Sequence, residues 1–350
     1  MPAPLPADLI RAEIAALPTY NAGLALDRFR DLYGIDCLAK LDSNENPLGA
    51  APGAIVAIRE AAANVARYPD ASNAGLRARI AQDSGVQSDK VIIGNGSEDL
   101  IGALYRAVLR PGDHVATICP SFGLHEFAAL ASGASVTKVP FSADWAFPVQ
   151  ELGAAMTVPT RVLIISSPSN PVGPVLSEAE FRALLAVTPA NTLIALDEAY
   201  LEYVDPAIRF DALAILAECP QPWIVLRTFS KAYGLAGIRV GFGITSDSAL
   251  TQALMKTRNP FGVNALAVAA ADAALNDPAH LARVTSLAMI ERRRVANALS
   301  AKGYACAPSQ TNFLFFDTGR SAADFAEDLR RKGVLVKAWQ ENPFLSWARV

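Results

Sequence analysis

The chain carries, from Arg227 to Gly243, the sequence RTFSKAYGLAGIRVGFG. The apolar run Trp223–Leu226 precedes it and predicts a buried strand. Lys231 follows that strand closely, and it could form a covalent imine because partial desolvation lowers the pKa of an amine. Arg239 could bind a phosphate group through its guanidinium fork. A solvated loop lysine is the alternative, so the choice depends on the rest of the chain.

The composition indicates a compact globular protein that acts on small molecules. Of the 350 residues, 52% are hydrophobic and 19% are charged, which is typical of a folded chain of roughly two domains. The net charge of −3 provides no basic field for nucleic acid or for an anionic membrane surface. We therefore expect neither nucleic acid nor a membrane as a partner.

The absence of targeting signals and the scatter of cysteines and histidines predict a reduced, cytoplasmic and metal-free protein. Residues 1–10 lack the basic start and the apolar core of a signal peptide. The most apolar later stretch, Asn264–Leu275, is interrupted by Asp272 and cannot span a bilayer. The four cysteines form no CxxC pair, and the three histidines have no partner at metal-ligand spacing.

Short apolar or β-branched runs alternate with helix-like stretches through the middle of the chain. The runs are Val91–Ile93, Val115–Cys119, Ser135–Val139, Val162–Ile165, Thr192–Leu196, Trp223–Leu226 and Ile238–Ile244. This alternation predicts an α/β fold with a seven-stranded, mostly parallel sheet covered by helices. We assign residues 41–265 to this large domain. Residues 1–40 and 266–350 would form an amino-terminal arm and a smaller α+β domain built from both chain ends.

Polar side chains follow the ends of several of these runs. Open α/β sheets bind ligands outside the carboxyl ends of their strands. The residues found there are Gly96, Ser97, Glu98, Phe122, Asn170, Asp197, Tyr200 and Lys231. They would gather at one edge of the sheet, which indicates a ligand site.

Three polar features each have two interpretations. Gly94-Asn95-Gly96-Ser97 opens a helix and could bind an anion through free backbone N–H groups, or it could simply be a tight turn. Asp197 at the end of a buried strand needs a partner, which is either a structural cation or a protonated ring nitrogen. The polar stretch LDSNENPLG (Leu41–Gly49) could line a site or form a surface turn.

Taken together, these residue types match the requirements of pyridoxal phosphate. The matching groups are Gly96, Ser97, Ser230 and Arg239 for its phosphate, Phe122 as an aromatic lid, Asn170 and Tyr200 for a ring oxygen, Asp197 for the ring nitrogen and Lys231 for the imine. A dehydrogenase or a kinase would need a different set.

In these residues and their order the chain resembles the histidinol-phosphate aminotransferase family, whose members are fold-type I pyridoxal-phosphate enzymes of aminotransferase class I/II. The matching motifs are LDSNENPLG (Leu41–Gly49), RYPD (Arg67–Asp70), SSPSNPVG (Ser166–Gly173), LDEAY (Leu196–Tyr200), RTFSKAYGLAGIRVGFG (Arg227–Gly243) and TNFLFF (Thr311–Phe316). They occur in the family's order, and their combination is highly specific although no single motif is.

The resemblance implies a role for each candidate residue. The cofactor would be held by Gly96, Ser97, Ser230 and Arg239 at its phosphate, by Asn170 and Tyr200 at its ring hydroxyl, by Phe122 on its ring face and by Asp197 at its ring nitrogen. Glu98 would be a further cofactor-binding residue. Lys231 would carry the cofactor as an imine and would then remove the Cα proton of the substrate. Tyr68 would reach the cofactor phosphate of the partner subunit, so the active form would be a homodimer.

The resemblance also implies four substrate-binding residues, which are Tyr20, Asn46, Lys337 and Arg349. Arg349 falls where the family has its substrate-anion arginine, and Tyr20 fits a substrate-contacting tyrosine. Lys337 stands where the family usually has a phosphate-binding arginine, and lysine keeps the charge but loses the bidentate fork. The family normally continues beyond Val350, so we expect the natural chain to have roughly 15–25 further residues, more than one helix of average length.

The resemblance implies ping-pong transamination between histidinol phosphate and 2-oxoglutarate, a step of histidine biosynthesis. An aromatic amino acid or another amine is the alternative donor in the same site. A threonine-phosphate decarboxylase shares the fold and most of the motifs, and it is a more distant alternative. A catalytically silent cofactor-binding protein would not need both Lys231 and Asp197, which disfavours that possibility.

Overall fold

The structure is a computed structural model, and it describes residues 9–19 and 23–350. Its strands are β1 (Ala39–Lys40), β2 (Val91–Gly94), β3 (His114–Cys119), β4 (Ser135–Pro140), β5 (Val162–Ser166), β6 (Leu193–Asp197), β7 (Trp223–Thr228), β8 (Gly241–Thr245), β9 (Phe315–Asp317), β10 (Val334–Leu335), β11 (Lys337–Ala338) and β12 (Trp347–Arg349). Its α-helices are α1 (Ala12–Ala15), α2 (Leu26–Tyr33), α3 (Pro52–Ala61), α4 (Ala74–Ser84), α5 (Ser97–Val108), α6 (Gly123–Ala131), α7 (Val149–Ala155), α8 (Glu178–Val187), α9 (Ala212–Leu216), α10 (Ser248–Thr257), α11 (Ala265–Leu275), α12 (Pro278–Ala301) and α13 (Ala322–Arg330).

The central feature is a seven-stranded sheet with the strand order β2-β8-β7-β6-β5-β3-β4. Neighbouring strands are parallel, except that β8 runs antiparallel to both β2 and β7. Every residue of β3, β5 and β6 is buried, as expected for parallel strands with helices on both faces. The prediction of a seven-stranded, mostly parallel sheet covered by helices is confirmed.

Successive residues of these strands enter two separate hydrophobic cores, because side chains alternate between the faces of a sheet. In β2, Val91 and Ile93 belong to one core and Ile92 belongs to the other. In β5, Leu163 belongs to the first core and Ile164 to the second. Packing on both faces holds the sheet, and with it the positions of its strand ends.

Two smaller sheets lie beside the main sheet, and one of them joins the two ends of the chain. Strands β11, β12 and β9 form an antiparallel sheet in that order. Strand β1 pairs in parallel with β10, so that Ala39 lies opposite Val334. The sequence predicts one run from Val334 to Lys337, but the structure divides this run between the two sheets at Val336. The division of the chain into domains 41–265 and 1–40 plus 266–350 stays a prediction.

Two predicted elements have different bounds in the structure. The strand predicted over Ile238–Ile244 begins only at Gly241, since Arg239 has a φ of 63° and cannot continue an extended strand. The sequence from 272 to 299 predicts a largely helical stretch, and the structure divides it between α11 and α12. Asp277 caps α12 by accepting from the backbone N–H of His280 at 2.8 Å. Within the described residues, no helix has the length and apolar character needed to cross a membrane.

Candidate active site

A cavity of about 360 Å³ opens at the carboxyl edge of the main sheet. Ser166, Asp197 and Thr228, which are the last residues of β5, β6 and β7, all line it. The predicted site residues that line it are Ser97, Glu98, Phe122, Asn170, Asp197, Tyr200, Ser230, Lys231, Arg239, Lys337 and Arg349. A volume of this size is typical of a site for a small ligand.

Lys231 lines this cavity from the loop that follows β7. Its Nζ donates a hydrogen bond to the backbone oxygen of Ser43 at 3.1 Å and lies 5.7 Å from the centre of the Tyr200 ring. Burial lowers the pKa of Lys231 to about 8, and the positive charge of Arg349 acts in the same direction. The amine is therefore nucleophilic close to neutral pH, as imine formation requires.

Close backbone packing sets the position of Lys231. Gly234, in the same loop, has a φ of +68°, and a Cβ added there would collide with the backbone of Gly49. Only glycine allows the lysine loop and the polar stretch that ends at Gly49 to approach this closely. Asn46 joins the same two segments, since its Nδ2 donates to the backbone oxygen of Ala232 at 3.0 Å. Asn46 thus bonds to the lysine loop, and its substrate-binding role stays a prediction.

Asp197 is buried at the end of β6, and both of its carboxylate oxygens have contacts. Oδ1 accepts from the backbone N–H of Ala199 at 3.1 Å, and Oδ2 lies 3.2 Å from Nε2 of His125. The other ring nitrogen of His125 lies 3.1 Å from Oγ of Ser121. Because a carboxylate only accepts, the His125 contact is a hydrogen bond when the imidazole carries a proton on Nε2. These contacts hold Asp197 in one orientation.

An arrangement suited to an anion lies where α5 begins. Ser97 is the first residue of α5, and Gly96 before it has a φ of 86°. Arg239 approaches this turn so closely that a Cβ on Gly96 would meet its Nη2 at 2.5 Å. Arg239 Nη1 donates to Oγ of Ser230 at 3.4 Å, and Nη2 lies 3.6 Å from the carboxylate of Glu98. Helix N–H groups, a guanidinium and hydroxyls together form a site that fits a phosphate.

Arg349 brings a second cationic group to the cavity. Its Nη1 donates to Oδ1 of Asn170 at 2.6 Å, and its Nη2 donates to the backbone oxygen of Asp42 at 2.7 Å. Lys337 pairs with Arg349 across β11 and β12, so both side chains lie on the same face of that sheet. Burial lowers the pKa of Lys337, and the charge of Arg349 adds to the effect. Two neighbouring cations favour an anionic substrate group at this side of the cavity.

Tyr200 and Phe122 give the cavity its aromatic surface. The hydroxyl of Tyr200 accepts a hydrogen bond from Nδ2 of Asn44 at 2.8 Å. Burial raises the pKa of Tyr200 to about 12, so the hydroxyl keeps its proton and can itself donate. Phe122 packs edge-on against His125, with ring centres 5.5 Å apart. That contact links the aromatic lid to the histidine beside Asp197.

Tyr68, the predicted partner-subunit tyrosine, does not line this cavity. Tyr68 lies on the surface with 84% of its area exposed, and its ring packs against that of Phe261 at 4.8 Å. Such a position is compatible with a role in a neighbouring subunit, which stays a prediction. Tyr20 lies outside the described residues.

The residues of the site that are missing from the sequence-based prediction include Asp42, Asn44, His125 and Trp339. Asp42, Asn44 and Asn46 occupy every second position of one polar stretch. This spacing alone does not show which of their side chains line the cavity. Trp339 lies two residues after Lys337, the spacing that places two strand residues on one face. His125 lies about one helical turn after Phe122, and this spacing was the available signal.

The low pKa of Lys231 predicts how this amine reacts in the cofactor-free protein. We expect its acetylation rate, measured by competitive labelling and peptide mass spectrometry, to rise through about pH 8, because burial disfavours the ammonium form. Lys138 is the internal reference. Burial acts to lower its pKa, but hydrogen bonds to Glu341 and Glu126 outweigh this effect and raise the pKa above 10.5. If the acetylation rates of both lysines rose only above pH 10.5, the account of the site would be contradicted.

Comparison with known proteins places the chain among the aminotransferases. The family model "Aminotransferase class I and II" matches residues 38–350. Histidinol-phosphate aminotransferase 1 from Mesorhizobium japonicum is 45% identical over 343 residues, which cover 98% of this chain and 94% of that protein. Histidinol-phosphate aminotransferase 3 from Rhizobium meliloti is 43% identical over 346 residues, with coverage of 99% and 94%.

A solved structure has the same fold over nearly the full length. It is the crystal structure of histidinol-phosphate aminotransferase from Sinorhizobium meliloti in complex with pyridoxal-5'-phosphate. It matches with a TM-score of 0.90 and 30% sequence identity, and the match covers 98% of this chain and 92% of that one. The chain therefore belongs to the class I and II aminotransferase family and, within it, to the histidinol-phosphate aminotransferases.

Proposed function

We propose that this protein binds pyridoxal phosphate and transfers the amino group of histidinol phosphate to 2-oxoglutarate. The observation that carries the proposal is the composition of one cavity. It combines the amine of Lys231, the buried carboxylate of Asp197 and the anion site of Arg239 and Ser97 at the carboxyl edge of the sheet. The names of relatives at 45% and 43% identity support the same function.

The residues present fit pyridoxal phosphate. A phosphate requires a cradle without side-chain bulk, and Gly96 provides it because a Cβ there would meet Arg239. A protonated ring nitrogen requires a fixed anion, and Asp197 is buried and oriented by Ala199 and His125. An aldehyde requires an uncharged amine, and burial lowers the pKa of Lys231 to about 8.

When bound, pyridoxal phosphate supplies an electron sink for the charge left on a carbon that loses its proton. Lys231 is then the general base that takes the Cα proton of the substrate and later returns it, since its lowered pKa suits proton transfer near neutral pH. Asp197 would keep a proton on the ring nitrogen by charge complementarity. Phe122 would cover the ring face and exclude water, while Asn170 and Tyr200 would bind the ring oxygen.

The cationic group of Lys337 and Arg349 selects the substrates. Both substrates carry anionic groups, namely a phosphate in histidinol phosphate and carboxylates in 2-oxoglutarate. Lysine in place of the family's usual arginine retains the charge without the bidentate fork. Aromatic amino acids remain the second class of donor, because Phe122 and Trp339 provide aromatic surface in the same cavity. The cytoplasmic location stays a prediction.

A homodimer is part of the proposal. The rings of Tyr68 and Phe261 pack against each other, with 84% and 49% of their areas exposed. Exposed apolar and aromatic side chains that lie together are typical of surfaces covered by another chain. We propose that a second copy covers them and that Tyr68 completes the cofactor site of that copy.

The donor is tested by the half-reaction with single amines. We expect histidinol phosphate to convert the lysine-bound cofactor to its aminated form, seen as a loss of the long-wavelength absorbance, and phenylalanine to do so much more slowly. The reason is that only the phosphate donor engages both Arg349 and Lys337. Faster conversion by phenylalanine would contradict the proposal, and release of carbon dioxide would indicate a decarboxylase. Lys231→Ala is the control. It should lack the long-wavelength absorbance, and its half-reaction should be about 10²–10⁴-fold slower.

The shared site is tested by mixing two variants, Lys231→Ala and Tyr68→Ala. Each variant alone should be impaired, whereas their heterodimer has one site in which Lys231 of one subunit meets Tyr68 of the other. We expect activity to rise when the two are unfolded and refolded together, measured against each variant refolded alone. If Tyr68 acted within its own subunit, no combination would restore a complete site and no rise would occur.

A further inference from the structure

A second cavity adjoins the candidate active site. It has a volume of about 340 Å³ and shares two lining residues, Asp42 and Lys337, with the active-site cavity. Arg330 and Tyr33 also line it, from the carboxyl ends of α13 and α2. Lys337 therefore lies between the reaction site and a space that contains a second cation.

The charges around this second cavity favour an anion. Its charged lining residues in the described part of the chain are Lys337, Arg330 and Asp42. Asp42 is already paired with Nζ of Lys40 at 3.0 Å. Burial lowers the pKa of Lys337, and the charges of Arg349 and Arg330 contribute, although Asp42 opposes them. Cations that destabilise each other in this way gain from an anionic ligand between them.

Arg330 is held in place by a carboxylate that it shares. Its Nη1 bonds to Glu327 at 3.2 Å, and the same carboxylate accepts from Tyr33 at 2.9 Å and pairs with Arg331 at 3.2 Å. One carboxylate cannot neutralise two arginines, so positive charge remains at this end of α13. A guanidinium offers further N–H groups beyond the one that Glu327 uses, and these can serve a ligand.

The chemical structure of the donor fits two cations at different distances from the reacting carbon. An amino acid carries its carboxylate directly on the reacting carbon, where Arg349 can meet it. The phosphate of histidinol phosphate lies one methylene and one ester oxygen farther out and has more charge and more free oxygens than a carboxylate. The ammonium group of Lys337 is a point charge without a bidentate fork, so it contacts only part of a phosphate.

We propose that Arg330 and Lys337 form the outer subsite for the phosphate monoester of the donor, and that Arg330 supplies the fork that Lys337 lacks. This inference rests on the proposed function of the active site. It makes Arg330 a residue that separates phosphorylated amino alcohols from amino acids, whose carboxylate reaches Arg349 but not the second cavity.

The test compares Arg330→Gln with Arg331→Gln in the holoenzyme. Both variants remove a cation bonded to Glu327, but Arg331 does not line the cavity and its side chain is 71% exposed. We expect Arg330→Gln to raise the KM for histidinol phosphate roughly tenfold, the loss expected for a charged hydrogen bond, with a smaller effect on the KM for 2-oxoglutarate. Arg331→Gln should leave both values unchanged, and Arg330→Lys should lie between Arg330→Gln and the wild type.

A second measurement separates failure of this inference from failure of the proposed function. Inorganic phosphate is titrated as a competitive inhibitor of the holoenzyme, with whichever amine proves to be the donor. We expect Arg330→Gln to weaken the inhibition about tenfold, with unchanged thermal unfolding as the check on folding. Equal effects of Arg330→Gln and Arg331→Gln, an equal loss for phosphate and 2-oxoglutarate, or no inhibition of the wild type by phosphate would each overturn the proposal.

Discussion

The Nζ of Lys231 is buried close to the positive charges of Arg349 and Arg239. A protonated amine is unfavourable in that position, because burial removes water and like charges repel. The fold therefore lowers the pKa of this amine to about 8, and it fixes the amine mainly with backbone groups. The carbonyl of Ser43 accepts from Nζ, and Gly234 lets the lysine loop touch the preceding polar stretch. Much of the remaining architecture brings the partners of this amine to the same edge of the sheet.

Arg349 shows how distant segments cooperate at this edge. It donates hydrogen bonds to the side-chain amide oxygen of Asn170 and to the backbone oxygen of Asp42. These bonds position the guanidinium at the cavity. Arg227 provides the contrast, since Glu198 pairs with it at 2.8 Å and both are largely buried. Arg349 thus lines the cavity, whereas Arg227 does not and has a structural partner.

Much of the fold and of the cofactor side of the site could be predicted from the sequence, because both depend on local signals. Buried strands are continuous apolar runs, and in this fold the residues after them gather at one edge of the sheet. Asp197, Asn170 and Lys231 could be found in this way, and all three line the cavity.

The rest depends on contacts between distant segments, which no local pattern encodes. His125 of α6 meets Asp197 of β6 only in the folded protein, because 72 positions separate them in the chain. The run from Val334 to Lys337 reads as one strand, yet pairing with Ala39 and Arg349 divides it between two sheets. The cavity of Arg330 likewise exists only once α2 and α13 meet.

The central claim is that Lys231 is the residue that carries the cofactor. Borohydride reduction of the holoenzyme, followed by digestion and mass spectrometry, tests it directly because reduction makes the bond between lysine and cofactor permanent. The account predicts one modified peptide, which contains Lys231. A modification on Lys40, which lies close to the same polar stretch through its bond to Ser43 at 2.8 Å, or no modified peptide at all, would contradict the account.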